Sequence, residues 1–342
     1  MGEVSTIGLD LAKHVFQVHG VDDAGNAVLR RQLRRSGMLK FFEKLAPCTI
    51  GLEACASAHY WARELAALGH TVKLMPPAYV KPYVKRGKND MADAEAICEA
   101  VMRPTMRFVP VKSAEQQASA MIYKGRELLV RQRTQLINAL RSHLAELGII
   151  TAQGVGKIDS LIAVVRDRKD ARLPPAAREA LQELIRQIEA LEARIEPLED
   201  EIVAQVRSSE LGRRLADVPG IGPIIAGALL AMVPDPGGFS SARHFATWLG
   251  FAPRQSSSGG KQRLGRISKR GNRYLRSLLI LGARNVLCRS NPRMSAWLRA
   301  LRARRPFKVA AVALAHKTAR IVWALMVKGT SYRAAVAAVA MS

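Results

Sequence analysis

Acidic residues are scarce in this chain, and scarcest where its charge is concentrated. Among 342 residues, 28 Asp and Glu stand against 53 Lys and Arg, a net charge of +25. Residues 211–342 hold 23 Lys and Arg but only two acids, Asp217 and Asp235. A bias serving solubility alone would be spread along the chain. This excess sits in one third of it and points to a polyanion, most simply nucleic acid, as partner. It argues against an average metabolic enzyme and against an acidic disordered chain. Cysteine is sparse too. Cys48, Cys55, Cys98 and Cys288 show no CxxC pairing and no zinc-ligand spacing, so they read as inert thiols in a reducing compartment. No basic stretch followed by an apolar one opens the N-terminus. The most apolar run, Val309 to Val327, is interrupted by His316, Lys317 and Arg320, and reads as a packed helix rather than a membrane span. A cytoplasmic, soluble protein with no membrane partner is expected. Neither a Walker A motif nor GxGxxG occurs.

What is present suggests two or three domains, at roughly 100–200 residues each. Residues 1–110 alternate strand and helix signals. Strands are expected at Ser5–Ala12, Val15–Val21 and Ala27–Leu33, with Asp22 to Gly25 as a turn, then at Cys48–Glu53 and Thr71–Met75. Helices are expected from Ser36 through Leu45, over Ser57–Gly69 and over Asp90–Met102. The order predicts an α/β domain with one mixed sheet. Residues 111–210 read as helical. After Pro174 and Pro175, Leu181, Leu184, Ile188, Leu191, Ile195, Leu198 and Ile202 alternate in spacings of three and four. This is a coiled-coil seam that joins subunits or closes a hairpin on Ser113–Leu147; dimerisation is favoured, with Pro197 expected to kink the helix. Residues 211–342 read as a mainly α, basic domain. Val218-Pro219-Gly220-Ile221-Gly222-Pro223 and the apolar run after it have the pattern of a helix-hairpin-helix, in which Gly220 and Gly222 let backbone approach a DNA phosphate.

Four acids of the first domain stand where acids are costly. Asp10 and Glu53 close apolar strand sequences, and Asp90 and Asp93 share one helix face. Two strand carboxylates facing two helix carboxylates make an oxygen-only site suited to Mg²⁺, with Mn²⁺ able to substitute. Such a site serves phosphoryl transfer. The cationic run Lys261, Arg263, Arg266, Lys269, Arg270, Arg273, Arg276, Arg284 and Arg289, with Arg254 before it, reads as a DNA-binding surface. Tyr274 and Trp297 read as core.

Gly8-Leu9-Asp10-Leu11-Ala12-Lys13, Gly51-Leu52-Glu53-Ala54 and Lys88-Asn89-Asp90-Met91-Ala92-Asp93-Ala94 resemble the acidic motifs of the DEDD transposases of the bacterial insertion-sequence one-ten family. These are related to the pilin-gene-inverting recombinases. The resemblance continues through Pro219 to Gly222, Phe245 to Gly250, Pro253 to Gln255, Ser256 to Lys261, Lys269 to Asn272 and Leu275-Arg276. It implies a RuvC-like, ribonuclease-H-type first domain and a serine in the C-terminal domain that attacks DNA to form a phosphoserine. Ser258 matches that serine best, with Ser257 the competitor among three adjacent serines. By composition alone Ser256 to Gly260 would be a flexible loop. No histidine lies near Ser258 in sequence, so a composite site across domains or subunits is expected. The resemblance also implies a structured guide RNA as partner; a homo-oligomer, dimer or tetramer, is expected as well. Two rivals remain. A Holliday-junction resolvase would use the same acids with water as nucleophile. An actin-like ATPase or sugar kinase would need Gly and Thr where Leu11, Ala12 and Lys13 follow Asp10.

Overall fold

The computed structural model describes residues 3–85, 89–152, 154–288 and 295–332. The chain divides into two compact units, Met1–Gln117 and Ala118–Ser342.

In the first unit three strands form an antiparallel meander: β1 (Thr6–Leu11), β2 (Val15–Val21) and β3 (Ala27–Arg34). After a short helix α1 (Met38–Phe42), β4 (Thr49–Glu53) pairs parallel with β1. Helix α2 (Ala58–Ala67) leads to β5 (Thr71–Met75), parallel to β4. The mixed sheet has the order β3-β2-β1-β4-β5. Two further helices follow, α3 (Pro77–Val80) and α4 (Asp90–Val101). Strands and helices thus fall within three residues of the expected limits; the turn α3 was not foreseen.

Alternation along the strands assigns the two faces. Ile7, Leu9, Phe16, Val18, Ile50 and Leu52 point to one side, where Met38, Phe42, Trp61 and Leu65 from α1 and α2 close a core. The other side carries α4. There Gly8 and Gly51 are the sequence's device for close approach. A Cβ on Gly8 would overlap the Ala94 carbonyl and the Cys98 amide, and one on Gly51 would lie 2.8 Å from Val101 Cβ. Helix α4 therefore lies directly on β1 and β4 and brings its first turn to the end of β1.

In the second unit α5 (Ala114–Glu146, opening in the last residues of the first unit), α6 (Ile158–Arg166) and α7 (Pro175–Ser208) form a helical layer. Helices α5 and α7 run antiparallel, with Arg126 Nε donating to Glu199 at 2.8 Å and Arg133 facing Glu192 at 3.7 Å. Ile137, Leu140 and Leu144 share a core with Ile158, Leu161, Leu181, Ile185 and Ile188. The first turns of the predicted seam are therefore filled from within the chain. Ile185, outside the heptad reading, is buried, whereas Leu184, Leu191 and Leu198 are only half-buried. The first half of the seam thus closes an intramolecular hairpin, the alternative to dimerisation, while Leu191 and Leu198 stay half-buried. The helix runs through Pro197 as one element.

Beyond it lie α8 (Glu210–Ala216), α9 (Pro223–Met232), α10 (Ala242–Trp248), a hairpin of β6 (Pro253–Gln255) and β7 (Leu264–Ile267), α11 (Arg273–Cys288), α12 (Ala296–Arg304) and α13 (Phe307–Lys328). Helix α9 is apolar on every side and is the centre of this core. Among the described residues α13 alone is long and apolar enough to cross a membrane, yet Ala315, Ala319, Val322 and Leu325 bury it in the same core.

Candidate active site

The first unit concentrates like charge at one end of its sheet. Asp10 is the penultimate residue of β1 and Glu53 the last of β4. Asn89 caps α4, its Oδ1 accepting from the Met91 amide at 3.0 Å. This cap fixes the turn that carries Asp90 and Asp93. Asp10, Asp90 and Asp93 each offer a carboxylate oxygen, and these oxygens all lie within 4.8 Å of one another. Burial, then the negative charges of Asp93 and Asp90, push the Asp10 carboxyl up to about 6. Glu53 lies outside that trio, and its carboxyl is raised by burial and then by the charges of Asp10 and Asp93. Among the described residues no Lys or Arg forms an ion pair with any of the four. Hard, anionic, oxygen-only donors without a protein counter-ion fit a divalent cation. Asn89 and the two sheet glycines, which sequence reasoning passed over, hold the cluster together. An Asn directly before the helix start is a readable cap signal. Lys88, part of the acidic motif, lies outside the described residues.

In the second unit the serine segment is an ordered hairpin, which corrects the expectation of a flexible loop. Ser256 donates its amide to the Arg263 carbonyl at 3.0 Å, and Lys261 to Ser258 at 3.1 Å. Gly259 and Gly260 make the reversal at φ +55° and +73°. That left-handed pair is the natural two-residue hairpin turn, and it explains the Gly-Gly after the serines. The three hydroxyls diverge. Ser257 Oγ accepts from the Gln255 side chain at 3.1 Å and the Arg263 amide at 3.2 Å. Ser256 lines a shallow cleft of about 510 Å³ with Arg254, Arg263, Arg266 and Lys269. Ser258 stands at the turn, exposed, and its hydroxyl has no hydrogen-bond partner among the described residues. No acid lines the cleft.

Several expected contacts are placed elsewhere. Arg276 is buried, and its guanidinium donates to the Leu249 carbonyl at 2.8 Å and the Arg270 carbonyl at 3.0 Å. It ties together the two chain segments that carry the hairpin, so its place on a DNA-binding surface is withdrawn. Gly220 packs backbone to backbone on Gly282 of α11, and a Cβ there would sit 2.8 Å from the Gly282 carbonyl. Its glycine serves helix packing, not phosphate approach, whereas Gly222 is open. Lys261, Arg270 and Arg273 are exposed but lie outside the cleft lining. Tyr274 is core, as expected; Trp297 is not, being 37% exposed with the Lys317 ammonium 4.6 Å from its ring centre. Arg289 lies outside the described residues.

A carboxylate cluster ending a mixed sheet, in a chain this basic, defines a protein that works on nucleic acid. Comparison with known proteins makes the class specific. Residues 212–299 match the transposase IS116/IS110/IS902 family, and residues 7–149 match the DEDD transposase family of IS110. A probable family 20 transposase of Pseudomonas aeruginosa is 54% identical over 96% of this chain and 99% of its own length. The transposase for insertion sequence element IS1328 of Yersinia enterocolitica is 38% identical over 97% of this chain and 99% of its own. That for IS1111A of Coxiella burnetii is 37% identical over 97% and 92%. The chain belongs to the IS110 family of DEDD transposases and is a DNA transposase of an insertion sequence.

Proposed function

We propose that this transposase cuts and rejoins DNA through a phosphoserine. In this reading Ser258 is the nucleophile, and Asp10, Glu53, Asp90 and Asp93 hold Mg²⁺, with Mn²⁺ able to substitute. The observation that carries the reading is the convergence of three carboxylates within 4.8 Å. The sheet order β3-β2-β1-β4-β5, with α4 across one face, supports a RuvC-like, ribonuclease-H-type reading of the first unit.

The bound ion would neutralise phosphate charge and polarise the phosphorus–oxygen bonds. The chain's own residues supply the rest. Helix α4 and β1 hold the acids at fixed spacing. Arg254, Arg263, Arg266 and Lys269 bind the non-bridging phosphate oxygens and stabilise charge developing there. Ser258 attacks phosphorus. The Oγ–P bond forms, one P–O ester bond breaks, and the serine proton leaves as the released deoxyribose oxygen gains one. A base for that proton is not found in the cleft lining, whose polar side chains are those of Arg254, Ser256, Arg263, Arg266 and Lys269. The phosphoserine remains an ester of the same class, so the hydroxyl of an incoming strand reverses the step without nucleotide hydrolysis. That agrees with the absence of a Walker A motif. A structured guide RNA, implied by the family resemblance, would share the basic surface.

The test is denaturing electrophoresis of the protein with a labelled element end. Wild type should give a covalent adduct that chelator abolishes, and Ser258→Ala should give none while retaining DNA. An adduct that persists in Ser258→Ala but vanishes in Ser256→Ala or Ser257→Ala moves the assignment. Cleavage with no adduct in any of these proteins makes water the nucleophile, as in a resolvase. Ribonuclease treatment before mixing should abolish target joining if the RNA is a partner.

A further inference from the structure

The first unit carries a second basic cleft that the acid cluster does not use. It measures about 460 Å³ and is lined by His14, Val15, Arg34, Arg35 and Ser36. From it we infer a subsite for the phosphate backbone of the strand being cut, a few nucleotides from the bond broken. The inference rests on the reading of the acid cluster as the cutting site.

The sheet register places the cleft relative to that cluster. Asp10 pairs with Gln17, and Gln17 with Gln32, so these three side chains stand in one row on the α4 face. Arg34 lies two residues beyond Gln32 on the same face, in the direction β1 runs. Two strand spacings across and two residues along give a Cα separation of about 12 Å between Asp10 and Arg34. At roughly 3.4 Å of rise per nucleotide, that is about three or four nucleotides. The cleft and the acids therefore sit at the same end of one rigid sheet.

Its chemistry suits a phosphodiester. Arg34 and Arg35 are exposed, and neither has a carboxylate partner among the described residues. Arg35, the next residue, turns to the opposite face of the same sheet end and is held there: its amide donates to the His14 carbonyl at 3.0 Å, and its guanidinium lies 5.0 Å from the Trp61 ring centre and 5.9 Å from that of Phe16. Stacking fixes the plane of the fork and leaves its edge N–H groups for an anion. The Ser36 hydroxyl and the His14 ring add further hydrogen-bonding groups. Opposite charges at two points of one sheet end give a strand a direction: a cation-bound phosphate at the acids, an arginine-bound one beyond β3.

The full-length Arg34→Gln/Arg35→Gln protein tests this. Total DNA retention should stay within about twofold, since most of the positive charge lies in residues 211–342, while metal-dependent strand cleavage should fall at least tenfold. Neutral methylphosphonates placed singly along the cut strand should slow wild type at a position two to five nucleotides from the scissile bond, and that penalty should vanish in the double variant. A second measurement needs no catalysis. An iron chelate tethered at Ser36→Cys, with Cys55 and Cys288 replaced by Ser and Asp10 by Asn, should cut bound DNA locally at the same offset. Wild-type cleavage rates in the double variant, a methylphosphonate penalty that persists in it, or no tethered cutting overturns the subsite. Tethered cutting at the offset, together with cleavage that survives Asp10→Asn alone, would instead keep the subsite and overturn the acid-cluster reading.

Discussion

Replacing Asp10 by Asn should make the metal-free protein more stable, although under the proposed mechanism the same change should abolish strand cleavage. Folding moves the Asp10 carboxyl from 3.8 up to about 6, through burial and then the charges of Asp93 and Asp90. A raised carboxyl pKa means that the folded state prefers the protonated acid. Wild type is therefore unpenalised below pH 3.8 and loses stability as the pH rises through about 6. Two pH units correspond to about 3 kcal/mol at about 1.4 kcal/mol each. Solvent screening at this half-buried position roughly halves that, leaving about 1.5 kcal/mol. Asparagine keeps the shape and carries no charge at any pH. Hydrogen exchange of β1 and α4 peptides, in chelator, reads the local stability of this unit. The two proteins should match near pH 4, and the variant should lead by about 1.5 kcal/mol at pH 8. Mg²⁺ at a hundred times its dissociation constant should then add about 2.7 kcal/mol to wild type and less to the variant, reversing the order. A variant less stable than wild type at pH 8 in chelator, or a difference that does not change with pH, would refute the electrostatic account.

Gly8→Ala should cost about 2–3 kcal/mol or push α4 off the sheet, because the added methyl meets the α4 backbone; weakened Mg²⁺ binding by calorimetry would report the shift. Ile188→Ala should cost about 2–5 kcal/mol in urea unfolding, with no change of mass in light scattering, since its partners belong to its own chain; a drop in mass would restore the dimer seam. Arg276→Ala should lower the melting temperature yet leave the salt dependence of DNA binding unchanged, as its guanidinium is spent on two carbonyls; a shallower salt slope would return it to the DNA surface.

The sheet was legible because its signals are local. Alternation and the Asp22–Gly25 turn each act within a few residues, and they place five strands close to where they fall. The acids were legible for a related reason: an ionisable group at the end of an apolar strand is expensive, so its presence asks for a purpose. Features that depend on a distant partner were not. Gly8 and Gly51 read as ordinary strand residues until α4 is laid over them. Arg276 belongs by composition to a basic run, and only the carbonyls of Leu249 and Arg270 show that it faces inward. In α7 the heptad count ignored Ile185 because a strict seam presumes one straight partner, whereas α5 and α6 share this face.

Charge segregation is the remaining feature to explain, and it follows from what each site must leave unpaired. An arginine within reach of Asp10 or Asp93 would form a charge-assisted hydrogen bond and bring the carboxyl back toward its ordinary range, and that pair would have to be broken before a cation could bind. An aspartate in the hairpin cleft would do the same to Arg254, Arg263 or Arg266 and repel the phosphate. Arg34 and Arg35 of the first unit, which have no carboxylate partner among the described residues, accordingly stand at the end of the far strand of the sheet, and the last third of the chain carries almost no acid. Both arrangements raise the electrostatic energy of the free protein, at Asp10 by an amount the pH experiment measures. They lower it once a cation lies on the acids and a phosphodiester on the arginines. Under the proposed mechanism, the sequence bias that excludes so many ordinary functions is thus the condition for holding two opposite charges ready for one substrate.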